Sequence, residues 1–164
     1  MIKFLKNKYT RWLMVIVWMF VIFMMSHLNS VKSWYLTGEL LTVFQTGSVD
    51  TETTYEEKMS SYNEDETADL MVYIRKLAHV VEYMILGILV YYALSGSYAI
   101  RKSAVGSMSV GWFYGYLDEL HQLFVPGRTG SLSDVFLDGI GVTLGVAFCV
   151  WAEVRLRKVR ENEA

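Results

Sequence analysis

The sequence predicts an all-α integral membrane protein with four transmembrane helices, both termini in the cytoplasm and a polar site at the outer face. Hydrophobic residues make up 53% of the 164 residues and charged residues 20%, a mixture that fits membrane spans joined by polar loops better than a soluble core. The spans are expected to be helices, because the backbone in lipid must be hydrogen-bonded within its own segment and a barrel would need many alternating strands. The length leaves room for one compact domain, residues 1–164.

The first predicted span covers about residues 12–28. Residues 12–25 form an unbroken apolar run, and with the next three residues the segment is just long enough to cross a bilayer at about 1.5 Å per residue. Basic residues precede it: Lys3, Lys6, Lys8 and Arg11. A secretory signal peptide has the same pattern, but no small-residue cleavage site follows the run, so we interpret it as a retained signal anchor.

Three further spans are predicted at about residues 72–94, 103–117 and 132–152. The second carries His79 and Glu82 in its first half, whereas the third is shorter, less apolar and, like the fourth, rich in glycine. Residues 46–70 are strongly acidic, with Lys58 as their only basic residue, and are predicted to form a solvated outer loop.

The distribution of Lys and Arg predicts the orientation, because cytoplasmic segments are enriched in both. With the N-terminus inside, ten basic residues lie in cytoplasmic segments and five in outer ones. Both termini are then cytoplasmic, and polar residues from all four spans meet at the outer face. Ionisable groups in membrane helices are costly unless they are paired or hydrated, which predicts one shared site.

Helical spacing refines this site, because residues three or four apart share a face of a helix. The candidate catalytic or metal-binding residues are His79, Glu82, Asp118, His121 and Asp134. The candidate ligand-binding residues are Lys76, Tyr83, Glu119, Gln122, Arg128 and Asp138.

Structural roles remain open for the same residues. His79 with Glu82, or Asp134 with Asp138, is equally compatible with a buried pair that fixes helix packing. Arg128 is suited either to binding a phosphate or to pairing with Asp134. Gly141 and Gly145 are interpreted as packing residues that let a neighbouring helix approach closely.

Two motifs resemble those of the VanZ-like family of small bacterial membrane proteins. The family pattern K-x-x-H-x-x-E-Y corresponds to Lys76, His79, Glu82 and Tyr83, and the pattern D-E-x-x-Q followed by P-x-R corresponds to Asp118, Glu119, Gln122, Pro126 and Arg128. The resemblance covers roughly residues 9–151. Family members often carry Asn where this chain has Asp138, and a serine pair followed by Gln-Pro where it has Ser26-His27.

This resemblance implies a cell-envelope protein of a bacterial plasma membrane, with a role in susceptibility to lipoglycopeptides such as teicoplanin. The expected partners are membrane lipids and a lipid-linked cell-wall precursor or anionic headgroup. The alternative is a membrane-embedded hydrolase or transferase acting on a lipid-linked phosphate, with a divalent metal as a candidate cofactor. A homo-oligomer stays open as an assembly state.

Other classes of protein are poorly supported. The net charge of −2, without a basic stripe, argues against a nucleic-acid partner. The single cysteine, Cys149, excludes a disulfide within the chain and a cysteine-based metal centre. Four short helices without an internal repeat leave little room for a transporter.

Overall fold

In this computed structural model, residues 7–27, 39, 42–44, 46–48, 65–125 and 130–162 are described. Within these ranges all long elements are helices, and no strand occurs. We number the long helices α1 (Lys8–His27), α2 (Asp65–Ser95), α3 (Ile100–Gln122) and α4 (Leu132–Asn162). The all-α prediction is therefore confirmed for the described part of the chain.

Three segments of the described residues are long and apolar enough to cross a membrane: Lys8–His27, Val72–Ser95 and Leu132–Asn162. The third predicted span lies within α3, which is not among them. Basic residues at its start, Arg101 and Lys102, and acidic residues near its end, Asp118 and Glu119, lower its hydropathy. Among the described residues, three apolar helices thus support a multi-pass membrane protein.

Two helices extend beyond the predicted spans. The predicted acidic loop reached residue 70, but α2 already begins at Asp65, so the helix extends into that segment. At the other end of the chain, α4 continues to Asn162 through a charged stretch in which Arg157 donates to Glu153 at 2.7 Å, one turn away. The central part of the acidic loop, residues 49–64, lies outside the described residues.

The closest helix crossing is that of α2 and α4. A Cβ atom on Gly141 would collide with the carbonyl oxygen of Val80, and one on Gly145 would collide with that of Met84. Only a residue without a side chain lets the two backbones approach this closely. Both glycines therefore pack the helices as the sequence predicted, and the crossing lies within one turn of His79 and Asp138.

The apolar core lies among α1, α2 and α4, with buried residues from each helix: Val15, Ile22, Leu86, Val90, Val142 and Val146. At one end of the bundle the guanidinium of Arg11 donates to the carbonyl oxygen of Tyr92 at 3.0 Å and lies over its ring at 4.2 Å. At the other end Ser26 in α1 donates to Asp118 in α3 at 2.7 Å. The helix α1 thus runs antiparallel to α2 and parallel to α3.

Candidate functional site

The structure brings an imidazole of α2 next to a carboxylate of α4. His79 Nδ1 and Asp138 Oδ1 are 3.4 Å apart, and the side chain of Asp138 is completely buried. The alignment of the two groups does not make a hydrogen bond, and neither oxygen of Asp138 has a hydrogen-bond partner among the described residues. A buried carboxylate is thus left without the partners that normally offset its desolvation.

Two carboxylates of α3, those of Asp118 and Glu119, lie close to His79 and Asp138, and both accept hydrogen bonds. Asp118 Oδ2 accepts from the hydroxyl of Ser26 at 2.7 Å and from the amide of Gln122 at 3.2 Å. Glu119 accepts from the same amide at 3.0 Å and from the backbone N–H of Ser131 at 2.9 Å. These donors fix the orientation of both carboxylates, which are only 4% exposed.

Small and aromatic residues shape the space around Asp138. A Cβ atom on Gly115 would lie 3.2 Å from Asp138 Cβ and 3.4 Å from the ring of Tyr83, so α3 can pass close to this carboxylate. Tyr83 is fully buried, and its hydroxyl has no hydrogen-bond partner among the described residues. A second buried polar group next to the cluster is therefore left unsatisfied.

The charge of this cluster is predominantly negative. Three carboxylates lie near one imidazole, and no described Lys or Arg forms an ion pair with Asp118, Glu119 or Asp138. A negative cluster of this kind is suited to binding a cation or a proton and is unsuited to direct contact with an anion.

The four side chains could together ligate a metal ion. His79, Asp118, Glu119 and Asp138 each offer one ligand atom, and these atoms all lie within 4.8 Å of one another. They come from α2, α3 and α4, so the donor set exists only when these helices are packed together. We call these four residues the acid–His cluster.

Several residues predicted for the site lie outside the acid–His cluster. The backbone oxygen of Glu82 accepts from the indole of Trp18 at 2.9 Å, and its half-buried side chain is not one of the four donors. His121 contacts His27 through ring nitrogens 3.3 Å apart. Asp134 is half-buried and accepts from Ser133 at 3.3 Å.

The cationic residues predicted for ligand binding are not part of the cluster either. Lys76 is exposed, and Arg128 lies outside the described residues. Of the other predicted ligand-binding residues, Glu119 and Asp138 belong to the cluster, Gln122 bonds to it and Tyr83 borders it.

Ser26 was not among the predicted site residues, although it donates the shortest hydrogen bond to the cluster. Its position could have indicated a role in the site, because Ser26 lies at the polar end of the first predicted span, on the same side of the membrane as the polar ends of the other predicted spans. Serine is common at helix ends, so this position alone did not distinguish it from a cap or a surface residue.

A family model described as VanZ/LLP1 matches residues 11–153, most of the chain. The resemblance predicted from the two sequence motifs is thus confirmed. No curated protein and no solved structure matches this chain.

Proposed function

The chain belongs to the VanZ/LLP1 family, and we propose that it is a bacterial cell-envelope protein that alters susceptibility to lipoglycopeptides such as teicoplanin. It would do so by binding or altering a lipid-linked or surface target. Family membership and three apolar helices support a multi-pass membrane location. The role of teicoplanin and of a lipid-linked or surface target is part of this proposal.

The proposed orientation has four crossings, with both termini in the cytoplasm of a bacterial plasma membrane and the acid–His cluster near the outer face. The excess of Lys and Arg in the inner segments supports it. The bond between Ser26 and Asp118 supports a crossing by α3, because it ties the last turn of α3 to the last turn of the apolar helix α1. The helix α3 also begins only a few residues after α2 ends, so it starts at the opposite end of the bundle.

One observation carries the proposal of a functional site at this face, namely three buried carboxylates next to a partly buried imidazole in a membrane bundle. Ionisable groups inside a membrane protein are expensive and are usually functional. Because the cluster is negative, an anionic headgroup would have to bind through a cation or through basic residues at the rim. The family pattern supplies two basic residues, Lys76, which is exposed one turn before His79, and Arg128, which lies outside the described residues.

A second function is favoured by the chemistry of the same donors. A membrane-embedded hydrolase or transferase acting on a lipid-linked phosphate would use His79 or a carboxylate as general base for an attacking water or hydroxyl group. Its signature is turnover, which a binding protein lacks. Purified protein incubated with a polyprenyl diphosphate in detergent would release inorganic phosphate, leaving the polyprenyl monophosphate, only if it is a hydrolase; a transferase would convert the same diphosphate to the monophosphate only when a hydroxyl acceptor is added.

The proposed function is tested in a susceptible Gram-positive host that expresses the protein. Inhibitory concentrations of teicoplanin and vancomycin are measured for the empty vector, the wild type, His79→Gln and Asp138→Asn. Asp69→Asn is the matched control, because this aspartate is exposed at the start of α2. Immunoblots of membrane fractions ensure equal expression.

We expect the wild type and Asp69→Asn to raise the teicoplanin concentration needed for inhibition, and both cluster variants to lose most of that rise. If the wild type changes neither drug's inhibitory concentration, the role in lipoglycopeptide susceptibility is wrong. If all three variants protect equally, protection does not depend on the acid–His cluster.

A further inference from the structure

We propose that the acid–His cluster binds a single divalent cation of the Mn²⁺ or Zn²⁺ class through His79, Asp118, Glu119 and Asp138. The use of this cation in the cell rests on the proposed function. The binding itself is a property of the purified protein and can be tested without any drug or host.

The first argument is the state of Asp138. Its side chain is completely buried, and both of its oxygens lack a hydrogen-bond partner among the described residues. His79 Nδ1, 3.4 Å away, is likewise without a hydrogen bond. A cation bound by both groups would give a partner to a carboxylate oxygen of Asp138 and to Nδ1 of His79. A purely structural role in helix packing would leave both atoms without one.

The second argument is distance. At a metal–ligand bond of about 2.1 Å, two ligand atoms on opposite sides of one ion lie about 4.2 Å apart. The four donor atoms lie within 4.8 Å of one another. If the most widely separated pair of donors takes opposite sides of the ion, it has to draw together by at most roughly half an ångström.

The third argument is the support behind the ligands. Ligating carboxylates in metal sites are held by hydrogen bonds from neighbouring groups. Here Gln122 donates to both Asp118 and Glu119, and the hydroxyl of Ser26 donates to Asp118. These donors leave other lone pairs of both carboxylates for an ion.

The donor types select the class of cation. Three carboxylate oxygens favour hard ions such as Mn²⁺, Mg²⁺ and Ca²⁺, whereas an imidazole nitrogen favours Zn²⁺ and other first-row transition ions. One nitrogen with three oxygens lies between these preferences. Mn²⁺ is accordingly the first probe, and Mg²⁺ is expected to compete weakly.

The experiment measures Mn²⁺ binding to the full-length protein in detergent micelles after treatment with EDTA and dialysis. The decrease of the electron paramagnetic resonance signal of free Mn²⁺ gives the stoichiometry and affinity. Asp138→Asn and His79→Gln remove one ligand each. Asp69→Asn is the matched control, because Asp69 is exposed at the start of α2 and is not among the four donors. Circular dichroism and size-exclusion chromatography verify that each variant is folded.

We expect one Mn²⁺ per chain, an affinity at least tenfold weaker in both ligand variants, and an unchanged affinity in the control. Binding of less than half an equivalent by the wild type would overturn the proposal. So would an affinity equal to that of the wild type in folded Asp138→Asn and His79→Gln, or a loss of affinity in Asp69→Asn as large as in those variants, which would indicate diffuse binding to acidic residues. Specific Mn²⁺ binding without any effect on drug susceptibility would retain the cation site and refute the proposed function.

Discussion

Gly141→Ala tests whether the close crossing of α2 and α4 holds the acid–His cluster together. The added methyl group would meet only backbone atoms of α2, the carbonyl group of Val80 and the nitrogen of Met84. Backbone atoms cannot rotate away, so the two helices must separate locally. Because Val80 directly follows His79 and Gly141 follows Asp138 by less than one turn, that separation also lengthens the contact between His79 and Asp138, which is now 3.4 Å.

The magnitude follows from two opposing effects. Overpacking a tight contact costs about 1–3 kcal/mol, and the upper value applies here because the atoms encountered are backbone atoms. Alanine favours the helix over glycine by about 1 kcal/mol. The free energy of unfolding is therefore expected to fall by about 2 kcal/mol.

The assay is denaturant unfolding of purified protein in detergent micelles, followed by circular dichroism. Gly106→Ala is the matched control, because its added methyl group would meet only the flexible end of Leu94, at 3.0 Å. The control should be as stable as the wild type or slightly more stable. If Gly141→Ala matches Gly106→Ala in stability, the two helices do not cross as closely as the structure indicates.

Two further predictions concern the buried polar groups. Ser26→Ala removes a hydrogen bond to the carboxylate of Asp118 and should lower the free energy of unfolding by about 1.5–3 kcal/mol in the same denaturant assay. Ser26→Thr keeps the hydroxyl and should lose less stability. Equal losses of stability in the two variants would contradict the role of this bond. Asp138→Asn replaces a buried, unsatisfied carboxylate by a neutral group, so in EDTA it should melt no lower than the wild type. Mn²⁺ should raise the melting temperature of the wild type more than that of this variant. A variant that melts well below the wild type in EDTA would mean that Asp138 is mainly structural.

The level of the site in the bundle could be predicted from sequence, because polar residues at the ends of successive spans mark one face. The choice between Asp134 and Asp138 could not, since both lie on one helical face. The structure buries Asp138 and leaves Asp134 half-buried near the start of α4. That difference depends on the crossing at Gly141 and Gly145, which is a property of two helices and not of one.

Helical spacing places His121 and Asp118, three residues apart, on one face of α3. In the structure α3 contacts three helices, α1, α2 and α4. Glu119 and Gln122 are buried with Asp118, whereas the ring of His121 contacts that of Phe23 in α1 at a tilt of 34°, with ring centroids 4.7 Å apart. Helical spacing alone does not predict this difference, because it groups residues on one face of a helix without showing which neighbouring helix each of them contacts.

The acid–His cluster and the helix packing depend on each other. Its donors belong to three helices and lie as far apart in sequence as His79 and Asp138, so they meet only in the assembled bundle. A cation that binds only this arrangement stabilises it, by about 2.7 kcal/mol when its concentration is a hundred times the dissociation constant. This gain is comparable to the cost expected for Gly141→Ala, so saturating Mn²⁺ should offset much of that variant's loss. Asp138→Asn, which is expected to bind Mn²⁺ at least tenfold more weakly, should gain at least about 1.3 kcal/mol less than the wild type at the same Mn²⁺ concentration, which distinguishes a carboxylate that binds a ligand from a glycine that positions one.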